Sequence, residues 1–441
     1  MRKLIVVALA CLVTGSAVFA AEDRPNFLII FIDDMGYGDP GCYGGTAAPT
    51  PHIDALAAEG TRFTSFYAQT VCGPSRGALM TGRYPVRVGG GWTTNAEEVT
   101  VAEILQQAGY TTGCVGKWDM SARRYQEKLV PNSQGFDYYF GPLGANDQNR
   151  VTLYRNREEL ETSNDMAALT RLYTDESIEF LKRHKDEPFF LYLAHTMMHV
   201  VIDASPEYRN RTGNGLYADT LLELDTEIGR LLKTLEELDL DENTLVLFTS
   251  DNGPWSNDHK RQRAKNAKYI EWTDGPEIPW GSSGPLRGAK GSTWEGGLRV
   301  PAIVRWPGHV PAGRTSDAMI STLDVLPTFA SLAGAADHVP TDRVIDGVDQ
   351  RDLLVGGSEK GARDEFHYYA SGELQAIRKG DWKLRLPGIK KIRKWSELDR
   401  GTQEAELYQL ADDPGEADNL AAENPELVRR LTELADAAKS N

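Results

Sequence analysis

Apolar residues fall into two kinds of run along this chain. Short runs rich in β-branched and aromatic residues read as buried strands: "NFLIIFI" (26–32), "YTTGCVG" (110–116), "PFFLYLAH" (188–195), "TLVLFTS" (244–250) and "RVPAIVRWPG" (299–308). Between them lie longer segments with helical spacing. "TPHIDALAAEG" (50–60) offers Thr50 as N-cap, Pro51 as first helical residue and Gly60 as stop. "TVAEILQQAGY" predicts a helix ending at Gly109, and "DMAALTRLYTDESIEFLKRH" a third. "YADTLLELDTEIGRLLKTLEELDL" places Leu221, Leu224, Ile228, Leu231, Leu232 and Leu235 on one face of a fourth. Strands alternating with helices predict an α/β sheet covered on both faces.

The texture changes near residue 356. "FHYYASGELQAIRKGDWKLRLPG" reads as two or three short antiparallel strands, turning at Ser371-Gly372 and Gly380-Asp381, and Pro425 opens a terminal helix. The expected organisation is a catalytic unit over 21–355 and a smaller α+β subdomain over 356–441. Residues 1–20 read as a signal peptide: Arg2 and Lys3 precede the apolar Leu4–Val13, and Val18 and Ala20 offer a small-residue cleavage site. Export to the periplasm or beyond, with no membrane span in the mature chain, is the expectation. The net charge of −16 argues against a general nucleic-acid binder.

Each strand run ends in residues that can ligate or titrate. The first runs into Asp33-Asp34, the second into Lys117 and Asp119, the third into His195 and His199, and the fourth into Asp251-Asn252. Ligands of open α/β sheets bind beyond the carboxyl ends of the strands. If these strands are parallel neighbours, all four clusters meet at one edge. Adjacent carboxylates repel unless a cation or basic side chains face them. Asp33, Asp34, Asp251 and the Asn252 amide make a hard-oxygen set that suits Ca2+ or Mg2+, and irregular loops favour Ca2+.

Cys11 leaves with the signal peptide, so Cys42, Cys72 and Cys114 remain, an odd number for an exported chain. Cys42 and Cys114 read as small buried residues, with a disulfide between them left open. Cys72 stands at the mouth of a helix that Pro74 opens, where a thiol is expected to have a depressed pKa. A cysteine phosphatase needs its arginine six positions on, and Ala78 is there instead.

"CGPSRGALMTGRYP" (72–85) resembles the C-x-P-S-R-x-x-x-x-T-G signature of the type I sulfatases of the alkaline phosphatase superfamily. "RPNFLIIFIDDMGYGDPGCYG", "TGCVGKWDM", "TSDNGPW", "GPLRGAKGSTWEGGLRVPAIVRWPG" and "ELYQLADDPGEADNLA" continue the likeness over about 25–435. The resemblance implies an alkaline-phosphatase-like α/β sandwich with a large, mostly parallel sheet. It implies that a formylglycine-generating enzyme converts Cys72 to Cα-formylglycine. It implies one Ca2+ held by Asp33, Asp34, Asp251, Asn252 and residue 72, with Arg76 steadying the hydrated aldehyde. Lys117 and Lys290 would then hold sulfate oxygens, and His199 would protonate the leaving alcohol. One hydroxyl of the hydrate would attack sulfur and the other would lose its proton to expel sulfate.

One position departs from the family pattern. Asp119 stands where the family's "GKWH" has a histidine. Three readings stay open: Asp119 serves as base, His195 takes over, or turnover is lost and the protein only binds sulfated glycans. A phosphomonoester or phosphonate hydrolase is the rival enzyme. For substrate, Lys260, Arg261, Arg263, Lys265 and Lys268, interleaved with Trp255, Trp272 and Trp280, point to a sulfated carbohydrate, with residues 391–400 as a second basic rim.

Overall fold

A computed structural model describes residues 24–255, 265–268, 280–389 and 403–440. The leader and its Cys11, Lys260, Arg261, Arg263, Trp272 and the 391–400 rim lie outside these residues.

The five apolar runs form strands of one eleven-stranded sheet. In chain order its first strands are β1 (Asn26–Ile32), β2 (Thr61–Tyr67), β3 (Thr111–Gly116), β4 (Tyr138–Pro142), β5 (Val151–Arg155), β6 (Glu158–Ser163), β7 (Phe189–Ala194), β8 (Thr244–Ser250) and β9 (Arg299–Arg305). The short β10 (Arg314–Ser316) and β11 (Ile320–Ser321) both pair with β2. Strand β1 lies between β7 and β8, parallel to both, and β3 continues the parallel run beside β7. The four polar-ended strands are therefore parallel neighbours. Strand β9 runs antiparallel to β8 and β2.

Alternation along β1 divides the interior in two, because successive strand side chains point to opposite faces. Leu28, Ile30 and Ile32 enter the core that contains α1 (Pro51–Glu59), α4 (Leu169–Arg183) and α5 (Leu216–Glu237). Phe27, Ile29 and Phe31 enter the core formed with α3 (Val101–Gln107) and the helix Val325–Leu332. Burying each of these side chains contributes about 1.5–3 kcal/mol, so slipping the strand by one residue is strongly disfavoured. The α5 stripe is buried at Leu221, Leu224, Ile228, Leu231 and Leu235, while Leu232 is half-buried.

The second sheet is antiparallel, in the order β12 (Glu365–Ala370), β13 (Glu373–Lys379), β14 (Trp382–Arg385) and β15 (Glu406–Gln409). Both turns fall where the sequence places them, and β15 adds a strand that the apolar pattern does not reveal. The terminal helix Pro425–Ser440 packs Leu431 and Ala435 on this sheet. Buried Lys383 of β14 joins it to the short helix Glu295–Leu298, which leads into β9, by pairing with Glu295 at 3.0 Å. Cys42, Cys72 and Cys114 are all unpaired; Cys114 is buried and Cys42 half-buried.

Helix α1 shows how tertiary contacts override a local cap. Thr50 flanks it but makes no capping bond to it. The donors are met from α5 instead, where the Asp225 carboxylate accepts from the His52 N–H at 3.1 Å and the Ile53 N–H at 2.9 Å. We expect Asp225→Ala to cost about 2 kcal/mol in denaturant unfolding, since it leaves the buried Ile53 donor unmet. Asp225→Asn, which keeps an acceptor, should cost visibly less; equal losses would contradict the capping role.

Candidate active site

The parallel strands deliver their four polar ends to one edge. Asp33, Asp34, Lys117, Asp119, His195, His199, Asp251 and Asn252 are all at most 3% exposed. Gly116, at φ 101°, allows the turn that carries Lys117 into the site: a Cβ there would lie 2.0 Å from the Ala194 carbonyl oxygen. Lys290 arrives from the loop before β9 and is 4% exposed.

Helix α2 (Cys72–Thr81) begins at Cys72, so Pro74 lies within the first turn, two residues later than the sequence suggests. Proline is tolerated there because early helical N–H groups have no intrahelical partner. Gly73 allows a close approach, since a Cβ would fall 2.7 Å from the Trp92 ring. The expected depressed thiol pKa is not found. Burial pushes the Cys72 thiol up to about 12, outweighing Lys117 and Lys290, with Asp119 and Asp33 adding to the rise.

Arg76 is fully buried and braces the site. Its guanidinium donates to Asp251 Oδ2 at 2.8 Å and to the Lys117 carbonyl at 2.7 Å, and its face lies over the Phe31 ring. Lys117 Nζ is 2.5 Å from Asp33 Oδ2 and 3.3 Å from Asp119 Oδ2. Burial opposes the charge on Lys117, but Asp119 and Asp33 raise its pKa above the ordinary range. Lys290 pairs with Asp34, which also accepts from Asn252 Nδ2 at 2.7 Å.

The remaining lone pairs test the metal reading. Asp33 Oδ1, Asp34 Oδ2 and Asn252 Oδ1 are buried and have no hydrogen-bond partner among the described residues. One ligand atom each from Asp33, Cys72 and Asp251 lies within 4.8 Å of the others. Asp33, Cys72 and Asp251 thus form a buried group that could hold a metal ion, with the unpartnered oxygens of Asp34 and Asn252 on the neighbouring residues.

His199 Nδ1 is 2.5 Å from the Val200 carbonyl, which assigns the proton of the neutral ring to Nδ1 and leaves Nε2 facing Asp34 at 3.9 Å. Trp255 packs beside it at a tilt, with ring centroids 5.7 Å apart, and Lys290 lies 5.3 Å from the same indole. His195 is a different case. Burial pulls its pKa down to about 3, and neither ring nitrogen has a partner among the described residues.

Asp119 brings in residues that the sequence reading missed. Its Oδ1 accepts from Arg123 Nε at 2.8 Å, and Arg123 reaches Asp147 at 2.7 Å and covers the Trp92 ring at 4.5 Å. The four-residue spacing from Asp119 to Arg123 was visible, but nothing local announces Asp147 or Trp92.

A buried nucleophile position, a hard-cation donor set and two lysines on one side define a site for hydrolysing an anionic tetrahedral ester. Comparison with known proteins names the family. The sulfatase profile matches residues 25–335, and that of the N-sulphoglucosamine sulphohydrolase C-terminal region matches 289–439. The chain is 36% identical to dog N-acetylgalactosamine-6-sulfatase, over 87% of this chain and 75% of that protein. It is 33% identical to the N-acetylgalactosamine-6-O-sulfatase of Bacteroides thetaiotaomicron, over 95% and 94%. A solved structure from work on glycosaminoglycan metabolism by that bacterium superposes with a TM-score of 0.83 at 29% identity, covering 95% of this chain and all of the other. The chain belongs to the sulfatase family.

The donor set makes a prediction that does not depend on turnover. Ca2+ at about a hundred times its Kd should stabilise the protein by about 2.7 kcal/mol, read as a rise in melting temperature. Asn252→Ala should lose most of that rise, and an equal rise in both proteins would contradict the assignment.

Proposed function

We propose that this sulfatase removes sulfate from a sulfated carbohydrate, with Cys72 converted to formylglycine and one Ca2+ at Asp33, Asp34, Asp251 and Asn252. The observation that carries the reading is Cys72 itself. It stands at the start of α2 within the C-x-P-S-R signature, fully buried beside Lys117 and Lys290, and burial opposes its ionisation as a thiol. When present, the hydrated aldehyde supplies an oxygen nucleophile for sulfur and Ca2+ supplies positive charge beside it.

The chain's own residues do the rest. Lys117 and Lys290 bind the equatorial oxygens of the ester and stabilise the charge that develops on them. Arg76 fixes the Asp251 carboxylate and the Lys117 backbone, which holds the clamp in place before substrate arrives. His199, with Nδ1–H held by the Val200 carbonyl, gives a proton from Nε2 to the leaving oxygen only as the imidazolium, a form that burial and Lys290 oppose and that Asp34, Asp147 and Asp33 favour. The cluster is buried, so water is kept from the reacting centre.

For Asp119 the geometry favours a variant of the second reading, in which the carboxylate is structural. Both oxygens are held by cations, Oδ1 by Arg123 and Oδ2 by Lys117 at 3.3 Å. It acts as a strut that positions Lys117. His195 does not take the base role, because no polar contact joins it to Cys72 among the described residues.

The test is sulfate release from a panel of sulfated saccharides and aryl sulfates, with phosphate monoesters and phosphonates as comparators. We expect sulfated saccharides to be hydrolysed and Cys72→Ala to abolish it. A panel on which only aryl sulfates turn over would overturn the carbohydrate reading, and faster phosphonate or phosphate cleavage would overturn the sulfate reading. Asp119→His should lower kcat/KM by about tenfold or more, since it breaks two ion pairs at the clamp. A variant faster than the natural protein would contradict the strut.

A further inference from the structure

Beside the site a cavity of 410 Å3 opens among Arg123, Arg124, Asp147, Arg150 and Tyr154. Its size is that of a small-ligand site, and its wall mixes polar and apolar side chains. Three arginines face it against one carboxylate, in a protein whose net charge is −16. Arg124 and Arg150 are exposed and form no ion pair with a described residue. Guanidinium groups left unpaired around a concave surface match a sulfate or carboxylate by their fork of donors.

The cavity is joined to the catalytic centre by direct contacts. Arg123 spans from Asp119 to Asp147, and Asp147 also accepts from Lys265 at 2.5 Å. Lys265 lies 5.6 Å from the Trp255 ring, the same indole that packs against His199 and Lys290. Gly144 leaves room for the Arg123 stem, because a Cβ there would lie 2.9 Å from the Arg123 Cβ. Asp119, Ala122, Arg123 and Asn149 all have φ between 53° and 59°, a region L-residues avoid. Such conformations persist where the surroundings over-determine them, and they collect at ligand sites.

We infer that this cavity is a subsite for a second anionic group, a sulfate or carboxylate on a neighbouring sugar of the same glycan, gripped by Arg124 and Arg150. Arg123 is the strut between subsite and site, its charge already matched by Asp119 and Asp147. The inference rests on the carbohydrate reading above and narrows it to polyanionic glycans.

The test compares three saccharides that carry the same scissile sulfate. One has a second sulfate on the neighbouring sugar, one a uronate carboxylate there, and one neither. The natural protein should prefer a doubly charged saccharide in kcat/KM. In the Arg124→Ala/Arg150→Ala double variant that ratio should fall by at least about tenfold, mainly through KM. The preference should also shrink as salt is raised. Whichever charged saccharide shows the larger fall identifies the group that is held. Hydrolysis of all three with no preference, or a ratio unchanged by the double variant, overturns the subsite while leaving the sulfated-carbohydrate reading standing. Failure to cleave any of the three, with an aryl sulfate still turned over, overturns both.

Discussion

Four carboxylates are buried around one point at the edge of the large sheet, and much of the site's arrangement answers that crowding. Asp33, Asp34, Asp119 and Asp251 are each at most 2% exposed. Carboxylates so placed do not stay charged without opposing charge. Arg76, Lys117 and Lys290 supply part of it through pairs with Asp251, Asp33 and Asp34. Asp33 Oδ1 and Asp34 Oδ2 remain without hydrogen-bond partners among the described residues, which is why a cation is proposed there. The same basic groups that offset the carboxylates are then in position to receive an anionic ester, so folding and substrate binding share one set of charges.

The fold explains why these residues meet. Parallel pairing of β8, β1, β7 and β3 aligns their carboxyl ends, and the two-sided core fixes the register of β1. Helix α2 contributes Cys72 at its first turn, and its Arg76 side chain reaches back to Asp251 and Asp33. Close approaches at Gly73 and Gly116 let the α2 mouth and the Lys117 turn pack without a gap.

Much of this was legible in the sequence, and for a physical reason. Fully buried parallel strands read as continuous apolar runs, and their ends are marked by the charged residues that follow. The alternation of "NFLIIFI" with amphipathic helices therefore gave both the sheet and the edge where Asp33, Lys117, His199 and Asp251 gather. Strand β6, "EELETS", was not seen because it is largely exposed and carries no apolar signal. The capping of α1 by Asp225 was invisible because its two parts lie 172 and 173 residues apart. The thiol pKa was misjudged in direction, since the helix dipole is a local feature and the burial that overrides it is not. Arg123 was missed because its importance comes from Trp92 and Asp147, which only the folded chain brings to it.

The account's central claim is that residue 72 works as an aldehyde hydrate and not as a thiol. The direct measurement is the mass of the peptide containing residue 72, from protein made in cells with a formylglycine-generating activity, set beside the rate of sulfate release from the same preparations. The account predicts the aldehyde mass, with turnover rising in proportion to the fraction converted. Full turnover from protein that retains the Cys72 thiol would contradict it.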